Sequence, residues 1–256
     1  MKQATVIVTG ASQGLGAAIA SIAADHGAHV VLTARSEPAL ELQAQKIRQR
    51  GGSALPIVGD VTRFEDCQRI IELSLRTFGG IDALVNNAAT IEPIAPVVEV
   101  RPEDWARHMA VNLLGPMMMS QLAIPHLRQT SGRLVNVTSH GAEIAISGFS
   151  AYSSSKAALN RFSKVLAVEE PAITVILFIP GDVDTPGQGI IRDKGKGKTS
   201  DEMHQYFISL YEQGKLLAPE RPALAAVSVA LKAPVTWSGE ILEWDDERVQ
   251  GLVGLL

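Results

Sequence analysis

The stretch VIVTGASQGLG, residues 6–16, joins a short run of β-branched residues to a glycine-rich turn. The apolar run at its start is typical of a buried strand. Gly10 permits a tight turn, Gly14 lets backbone N–H groups approach an anion, and Gly16 allows close packing of helix on strand. A helix that begins here presents free N–H donors and partial positive charge. The stretch therefore predicts a site for the pyrophosphate of a dinucleotide.

Beyond this turn, short apolar runs alternate with longer amphipathic segments. The runs are continuously apolar, as expected when helices cover both faces of a parallel sheet. They predict strands at residues 6–8, 29–33, 55–58, 83–85, 133–137 and 174–178, and helices between them at residues 15–25, 38–50 and 65–78. The predicted fold is a single α/β domain over residues 1–256, a Rossmann-like, doubly wound parallel sheet with helices on both faces.

Composition narrows the class of protein. The chain is 46% hydrophobic with a net charge of −4, which provides for a sizeable core and offers no basic face for nucleic acid. The single cysteine, Cys67, excludes an intramolecular disulfide and fits a reducing compartment. Because no apolar run approaches the roughly 18–20 residues of a membrane span and the first residues do not resemble a secretory signal, we expect a cytoplasmic protein without membrane contact. No metal site is expected.

One segment interrupts the alternation of strands and helices. Residues 187–198 are rich in glycine and lysine, which favours a mobile excursion over a packed element. We predict a mobile substrate loop around residues 186–215. A plain solvated surface loop is the alternative.

The residues after the second predicted strand bear on the choice of dinucleotide. A site selective for NAD usually has Asp or Glu here, whereas an arginine accommodates the 2′-phosphate of NADP. This chain has Ala34 and Arg35, which favours NADP(H) as cofactor. The alternative is that Arg35 is an ordinary solvated cation.

Tyr152 and Lys156 are four residues apart, so a helix would place both on one face. Free tyrosine has a pKa of roughly 10 and is a poor acid–base catalyst near neutrality; a nearby ammonium lowers that pKa. Ser139 lies thirteen residues upstream, after a predicted strand, where its hydroxyl could hold a carbonyl oxygen. Each residue alone has a structural explanation, but their combination with the glycine-rich turn indicates a redox site.

Taken together, these motifs resemble those of the short-chain dehydrogenases/reductases over essentially the whole chain. The matching motifs are Thr9–Gly16, Asp60-Val61, Asn86-Asn87-Ala88, Asn112, the set Ser139, Tyr152 and Lys156, and Pro180–Thr185. The resemblance implies a mechanism in which Tyr152 donates a proton to the substrate oxygen and Ser139 positions the carbonyl. Lys156 would bind the nicotinamide ribose and lower the pKa of Tyr152, and Asn112 would hold a water linked to Lys156.

The same resemblance implies which residues hold the cofactor. Asp60 and Val61 would flank the adenine, and Val183 and Thr185 would bond the carboxamide. The full implied cofactor site consists of Gly10, Ser12, Gln13, Gly14, Leu15, Gly16, Arg35, Asp60, Val61, Asn87, Ala88, Tyr152, Lys156, Pro180, Val183 and Thr185.

The C-terminal third resembles the sepiapterin reductases, and more closely their relatives that reduce α-diketones such as benzil. The resemblance rests on residues 169–171 and 237–248. It suggests Asp245 or Asp246 as a substrate contact, with a solvated acidic cluster as the alternative. His140, unusual directly after Ser139, is a further candidate substrate contact; its alternative is a solvent-facing side chain. Ala89 departs from the glycine common at its position.

The sequence therefore predicts NADPH-dependent reduction of a small-molecule ketone or α-diketone. An alcohol dehydrogenase or a 3-oxoacyl-carrier reductase of the same family is the alternative, the second because Lys194, Lys196 and Lys198 could form a basic patch. A non-catalytic NADP sensor is a further alternative.

Members of the family usually pair the helix that starts near Asn112 and the helix that carries Tyr152 with their symmetry mates, so the resemblance implies a homodimer or homotetramer. The first of these helices is apolar all round, which is typical of a helix buried either in the core or at a two-fold interface. Its apolar residues are Leu113, Leu114, Met117, Met118, Met119 and Leu122.

Overall fold

A computed structural model describes residues 3–256 and contains one sheet of seven strands. The strands are β1 (Thr5–Thr9), β2 (His29–Ala34), β3 (Ser53–Val58), β4 (Ala83–Asn86), β5 (Arg133–Val137), β6 (Thr174–Ile179) and β7 (Ile241–Glu243). They lie in the order β3-β2-β1-β4-β5-β6-β7, and every neighbouring pair is parallel. This confirms the predicted fold class. The prediction missed β7, which is only three residues long.

Within residues 3–256, ten α-helices connect and cover the strands. They are α1 (Gly14–Asp25), α2 (Glu37–Gln49), α3 (Phe64–Phe78), α4 (Pro102–Met109), α5 (Gly115–Thr130), α6 (Ser150–Glu169), α7 (Pro186–Lys194), α8 (Asp201–Glu212), α9 (Glu220–Lys232) and α10 (Glu247–Val253). Short 3₁₀ turns occupy Val97–Glu99, His140–Ala142 and Val235–Trp237, and a π-helical stretch, Ala110–Leu114, joins α4 to α5.

The core lies in two layers, one on each face of the sheet. Along β1, Val6 and Val8 belong to one apolar cluster while Ile7, between them, belongs to the other. The first cluster packs against α1, α2, α9 and α10, and the second against α3, α5 and α6. Because both faces are covered, the central strands contain runs of consecutive apolar residues rather than a strict alternation of apolar and polar residues.

The strand order reverses at β1, which has β2 on one side and β4 on the other. In open parallel sheets, ligands bind outside the carboxyl ends of the strands at such a switch point. The glycine-rich turn follows β1 there, and the ends of β4, β5 and β6 lie at the same edge because the strands are parallel. The fold thus gathers the motif residues of distant segments at one edge.

The segment predicted as a loop, residues 186–215, is largely helical, so that part of the prediction is wrong. Pro186 stands in the first turn of α7, and the Ser200 side chain caps α8 by accepting from the backbone N–H of Met203 at 3.2 Å. Ile191 and Phe207 are buried. Burial of apolar residues at helical spacing therefore stabilises helices here despite the nearby glycines. Two of those glycines lie between α7 and α8, where no helix is interrupted. Mobility of the segment stays a prediction.

Among the described helices, none combines the length and the apolar character that crossing a membrane requires. Within residues 3–256, no three His, Cys, Asp or Glu side chains cluster where they could hold a metal ion.

Candidate active site

One cavity of about 780 Å³ lies along the carboxyl edge of the sheet. Its wall contains all sixteen residues that the resemblance implies for a cofactor site, together with Ser139 and His140. Asn112, Asp245 and Asp246 are not part of that wall. The tertiary structure thus brings together residues from seven separate segments of the chain, and the roles predicted for them stay predictions.

The turn between β1 and α1 has the geometry of an anion cradle. Gly10 and Gly14 have φ angles of +68° and +54°, a region that side chains disfavour. A Cβ on Gly16 would lie 2.4 Å from both the Gly10 carbonyl oxygen and Asn87 Nδ2. No side chain caps the N-terminus of α1, so its backbone N–H donors are left for a ligand. These residues fit a dinucleotide pyrophosphate.

A second set of contacts ties β4 to this turn. Thr9 Oγ1 accepts hydrogen bonds from the backbone N–H groups of Asn87 and Ala88, both at 3.0 Å. Asn87 Nδ2 in turn donates to the Thr9 carbonyl at 2.9 Å. The pair Asn87-Ala88 is therefore held at the cavity wall by the residue that begins the glycine-rich turn.

Arg35 follows β2, is exposed, and lines the cavity. It takes part in none of the ion pairs formed within residues 3–256. An arginine in this position can meet a phosphate through its planar fork of donors.

Ser139, Tyr152 and Lys156 meet at the same cavity. Tyr152 and Lys156 lie one turn apart on α6, and Lys156 Nζ is 5.8 Å from the centre of the Tyr152 ring. Lys156 is buried and donates to the Val137 carbonyl at 2.8 Å. The Ser139 hydroxyl accepts from the backbone N–H of Gly141 at 3.1 Å. Ser139 and Tyr152 lie on the same side of Gly141, where an added Cβ would be 3.4 Å from Ser139 Oγ and 3.2 Å from Tyr152 Cε1.

Burial shifts the pKa values of both Tyr152 and Lys156. Burial raises the pKa of Tyr152; the Ser139 hydroxyl lowers it in part, and the Asp182 carboxylate raises it. Burial also lowers the pKa of Lys156 to about 8. Tyr152 is therefore protonated at neutral pH, which is the form that donates a proton. The predicted role of Lys156 in lowering the pKa of Tyr152 stays a prediction.

Asn112 lies outside the cavity wall, at the centre of the π-helical stretch, and is buried. Its side-chain oxygen accepts from the Thr90 N–H at 2.8 Å, and its Nδ2 donates to the Thr90 carbonyl at 2.9 Å. The amide thus holds the segment after Asn86-Asn87-Ala88. The predicted role in holding a water stays a prediction.

Of the three candidate substrate contacts, His140 lies in the cavity wall, whereas Asp245 and Asp246 lie outside it. His140 lines the cavity, half-exposed, with its Nε2 3.4 Å from a carboxylate oxygen of Glu243. Asp246 instead caps α10, accepting from the Arg248 N–H at 2.9 Å and pairing with the Arg248 guanidinium. Asp245 is exposed and also lies off the cavity wall. For these aspartates the prediction of a substrate contact is not supported, because the short strand β7 carries them past the cavity into a helix cap.

Sequence reasoning missed most of the wall nearest Tyr152. It is formed mainly by apolar side chains: Ile91, Ile144, Ile146, Phe149, Ile191, Met203 and Phe207. Tyr206, from α8, also lines it and donates through its hydroxyl to Asp182 at 3.0 Å. The helical spacing of Met203, Tyr206 and Phe207 was the available signal, and the glycines nearby obscured it.

Comparisons with known proteins agree with this geometry. A family model described as short chain dehydrogenase matches residues 4–195. An uncharacterized oxidoreductase of Schizosaccharomyces pombe is 35% identical over 241 residues, covering 93% of this chain and 95% of its own.

Two solved structures extend the comparison to the fold. A short chain dehydrogenase/reductase of Saccharomyces cerevisiae is 32% identical, with a TM-score of 0.92 over 97% of this chain and 99% of that one. An alcohol dehydrogenase of the archaeon Thermococcus sibiricus, complexed with 5-hydroxy-NADP, is 27% identical, with a TM-score of 0.79 over 94% and 95%. The family model covers three quarters of the sequence, and the glycine-rich turn, Ser139, Tyr152 and Lys156 line one cavity. The chain therefore belongs to the short-chain dehydrogenase family of oxidoreductases.

Proposed function

We propose that this protein catalyses the NADPH-dependent reduction of a small ketone or α-diketone to an alcohol. The observation that carries the proposal is the placement of Tyr152 and Ser139 in the wall of the cavity that the glycine-rich turn also lines. Burial raises the pKa of Tyr152, which keeps the phenol protonated at neutral pH. A proton donor beside a dinucleotide cradle is what reduction of a carbonyl requires.

NADP(H) is the cofactor that these residues fit best. The uncapped start of α1 suits the pyrophosphate, and the unpaired Arg35 suits the 2′-phosphate. The similar Thermococcus sibiricus alcohol dehydrogenase was solved with an NADP derivative. When bound, NADPH would supply the hydride.

The chain's own residues would then orient and protonate the substrate oxygen. Ser139, held by the Gly141 N–H, keeps its hydroxyl proton available to orient a carbonyl. Tyr152 donates its proton to the oxygen as negative charge develops there. Lys156 stabilises the phenolate left behind and offers its remaining N–H donors to the ribose hydroxyls of the cofactor.

The apolar wall near Tyr152 supports a substrate with aryl or alkyl groups on the carbonyl carbon. Phe149 and Phe207 lie with their ring centres 6.0 Å apart and would flank such a group. Together with the C-terminal resemblance to the sepiapterin and benzil reductases, this favours an α-diketone such as benzil.

The alternatives are less well supported. A 3-oxoacyl-carrier reductase would need free cations at the cavity mouth, but Lys194 pairs with Glu92 at 2.6 Å and Lys198 pairs with Glu99 at 2.5 Å. Lys196 forms no ion pair within residues 3–256, but it is not part of the cavity wall. An alcohol dehydrogenase uses the same side chains in reverse. A sensor without turnover would not need Tyr152 and Lys156 together.

The deciding experiment incubates purified protein with NADPH and a panel of benzil, diacetyl and sepiapterin, and follows the nicotinamide absorbance. The proposal expects turnover, fastest with benzil because of the apolar wall. Retained NADPH binding without turnover of any carbonyl would overturn it in favour of a sensor.

The substitution Arg35→Asp tests the choice of cofactor. An aspartate repels the 2′-phosphate and can bond a free 2′-hydroxyl, so the preference should move from NADPH toward NADH. The measurement is kcat/KM for each cofactor with one carbonyl. Replacement of the exposed Arg63, outside the cavity wall, by Asp is the matched control. An unchanged preference in Arg35→Asp would remove that residue from the phosphate site.

The pH dependence of reduction tests the role of Lys156. Burial lowers the pKa of its ammonium to about 8, so the charge is present at neutral pH and lost as the pH rises through about 8. Tyr152, whose pKa is raised, keeps its proton over that range. We expect kcat at saturating NADPH to fall across this transition. A flat profile through it would show that the Lys156 charge does not matter, and a fall retained in Lys156→Arg, which stays charged, would assign it to another group.

We also propose a homodimer or homotetramer. Support comes from exposed apolar side chains on neighbouring helices: Leu114 is 45% exposed, and Val165 and Val168 on α6 are 47% and 82% exposed. Light scattering on purified protein tests this; a monomer at micromolar concentration would contradict it.

The single buried cysteine, Cys67, supports a proposed location in the reducing cytoplasm.

A further inference from the structure

His108 is a buried polar side chain that the proposed reaction does not use. It lies at the end of α4 with no exposed surface. Its Nδ1 is 2.7 Å from the Glu92 carbonyl oxygen, and its Nε2 is 2.9 Å from Asn112 Nδ2 and 3.0 Å from Ser155 Oγ. One imidazole thus touches a loop, the π-helical stretch and α6.

These contacts determine the tautomer of His108. A carbonyl oxygen only accepts, so Nδ1 carries the proton. Burial lowers the pKa of His108, and the nearby Lys156 charge lowers it as well, so the ring is neutral and Nε2 is an acceptor. The Asn112 amide is oriented unambiguously, because its oxygen accepts from the Thr90 N–H. Its Nδ2 therefore donates to His108 Nε2.

The partners of His108 connect directly to the redox site. Asn112 holds both backbone groups of Thr90, a residue of the cavity wall. Ser155 immediately precedes Lys156 on α6, and its single hydroxyl proton is shared between the Tyr152 carbonyl at 2.8 Å and His108 Nε2 at 3.0 Å. The His108 ring also packs edge-on against the Tyr152 ring, with 6.1 Å between centres.

We propose that His108 is a positioning residue: its Nε2 acceptor and Nδ1 donor lock Asn112 and residues 90–92 against the helix that carries Tyr152 and Lys156. It acts on the reacting groups through Asn112 and Ser155 and does not itself exchange a proton with substrate. Without the acceptor, the Asn112 amide loses one of the bonds that fix it, and the cavity wall at Thr90 is free to shift relative to Tyr152. As far as turnover is concerned, the inference rests on the proposed function.

The first test is independent of turnover. Long-range ¹H–¹⁵N correlation spectra of the full-length protein, assigned by comparison with His108→Gln, report which imidazole nitrogen carries the proton. A neutral ring protonated at Nδ1 is expected. Protonation at Nε2, or a charged ring at neutral pH, would overturn the inference, even if the wild-type protein reduced none of the carbonyls tested.

The second test separates positioning from simple structural support. His108→Leu keeps bulk but removes the acceptor; His108→Gln restores an acceptor oxygen near the place of Nε2. Because a misplacement of about 1 Å can cost roughly 10²-fold in rate, we expect His108→Leu to lower kcat by about 10-fold to 10²-fold with little change in the NADPH Kd. His108→Gln should recover most of that loss.

A matched control removes another histidine–serine hydrogen bond far from the cavity. His29 Nδ1 is 2.9 Å from Ser53 Oγ, and neither residue lines the site, so His29→Leu should leave kcat unchanged. Wild-type kcat in His108→Leu would refute the positioning role. Equal loss of NADPH binding and kcat in both His108 variants would also refute it, because that pattern indicates general loss of structure.

Discussion

Tyr152→Phe is expected to lower kcat for carbonyl reduction by about 10²–10⁴-fold, the range that a positioned general acid contributes. The phenol shares the cavity wall with Ser139, and its raised pKa keeps it protonated at neutral pH. Phenylalanine retains the ring that packs against Phe149 and His108 and removes only the hydroxyl. NADPH binding should therefore persist, as measured by quenching of protein fluorescence or by calorimetry.

Tyr211→Phe is the matched control for this substitution. Tyr211 is 55% exposed, lies outside the cavity wall and stacks beneath the Arg192 guanidinium, so loss of its hydroxyl should leave kcat intact. If Tyr152→Phe retained wild-type kcat, another group would be the proton donor. If it lost NADPH binding as well as turnover, the hydroxyl would serve mainly to hold the cofactor, which would contradict its role as the proton donor.

Gly16→Ala is expected to destabilise the fold by about 3 kcal/mol, the upper end of overpacking costs. The added methyl would lie 2.4 Å from the Gly10 carbonyl oxygen and from Asn87 Nδ2. The first is backbone and cannot rotate away, and the second is held by its bond to Thr9. In a domain of this size such a loss corresponds to a fall in Tm of roughly 6–12 °C, measured by circular dichroism. Affinity for NADPH should fall with it, because the cradle itself is displaced.

Gly251→Ala provides the control. Gly251 lies within α10, and a Cβ there would meet nothing within 4 Å, so alanine should raise stability by up to about 1 kcal/mol through its better helix propensity. A Tm within experimental error of wild type for Gly16→Ala, with unchanged NADPH affinity, would show that the turn is looser than its geometry indicates.

The residues of the glycine-rich turn illustrate what local sequence determines. Gly10 and Gly14 adopt positive φ angles, and Gly16 allows close contact with the Gly10 carbonyl. Because glycine meets these backbone conditions best, the spacing of the three predicts the turn without knowledge of any other segment. The strands were predictable for a similar reason: burial on both faces leaves continuous apolar runs. Ser139, Tyr152 and Lys156 were found because their spacing matches a family pattern, and the fold places them at the wall of the cavity.

Other features depended on contacts between distant segments. The helices α7 and α8 were hidden by glycines, and their stability comes from burying Ile191 and Phe207 against residues of other elements. The Asp246 carboxylate was offered as a substrate contact, but it caps a helix that β7 directs away from the cavity. The raised pKa of Tyr152 depends on burial and on Asp182, thirty residues further along the chain.

By itself, the sequence determined the fold class, the anion cradle and the residues expected to carry the redox chemistry, because backbone geometry and strand burial impose short-range patterns. Only the tertiary structure decided which side chains surround those residues. It revealed the apolar wall, the ion pairs that occupy Lys194 and Lys198, and the buried imidazole of His108 between three elements. These contacts join residues that are far apart in the sequence. An isoleucine, lysine or histidine can serve many purposes at its own position, so its role becomes clear only when the tertiary structure shows which side chains surround it.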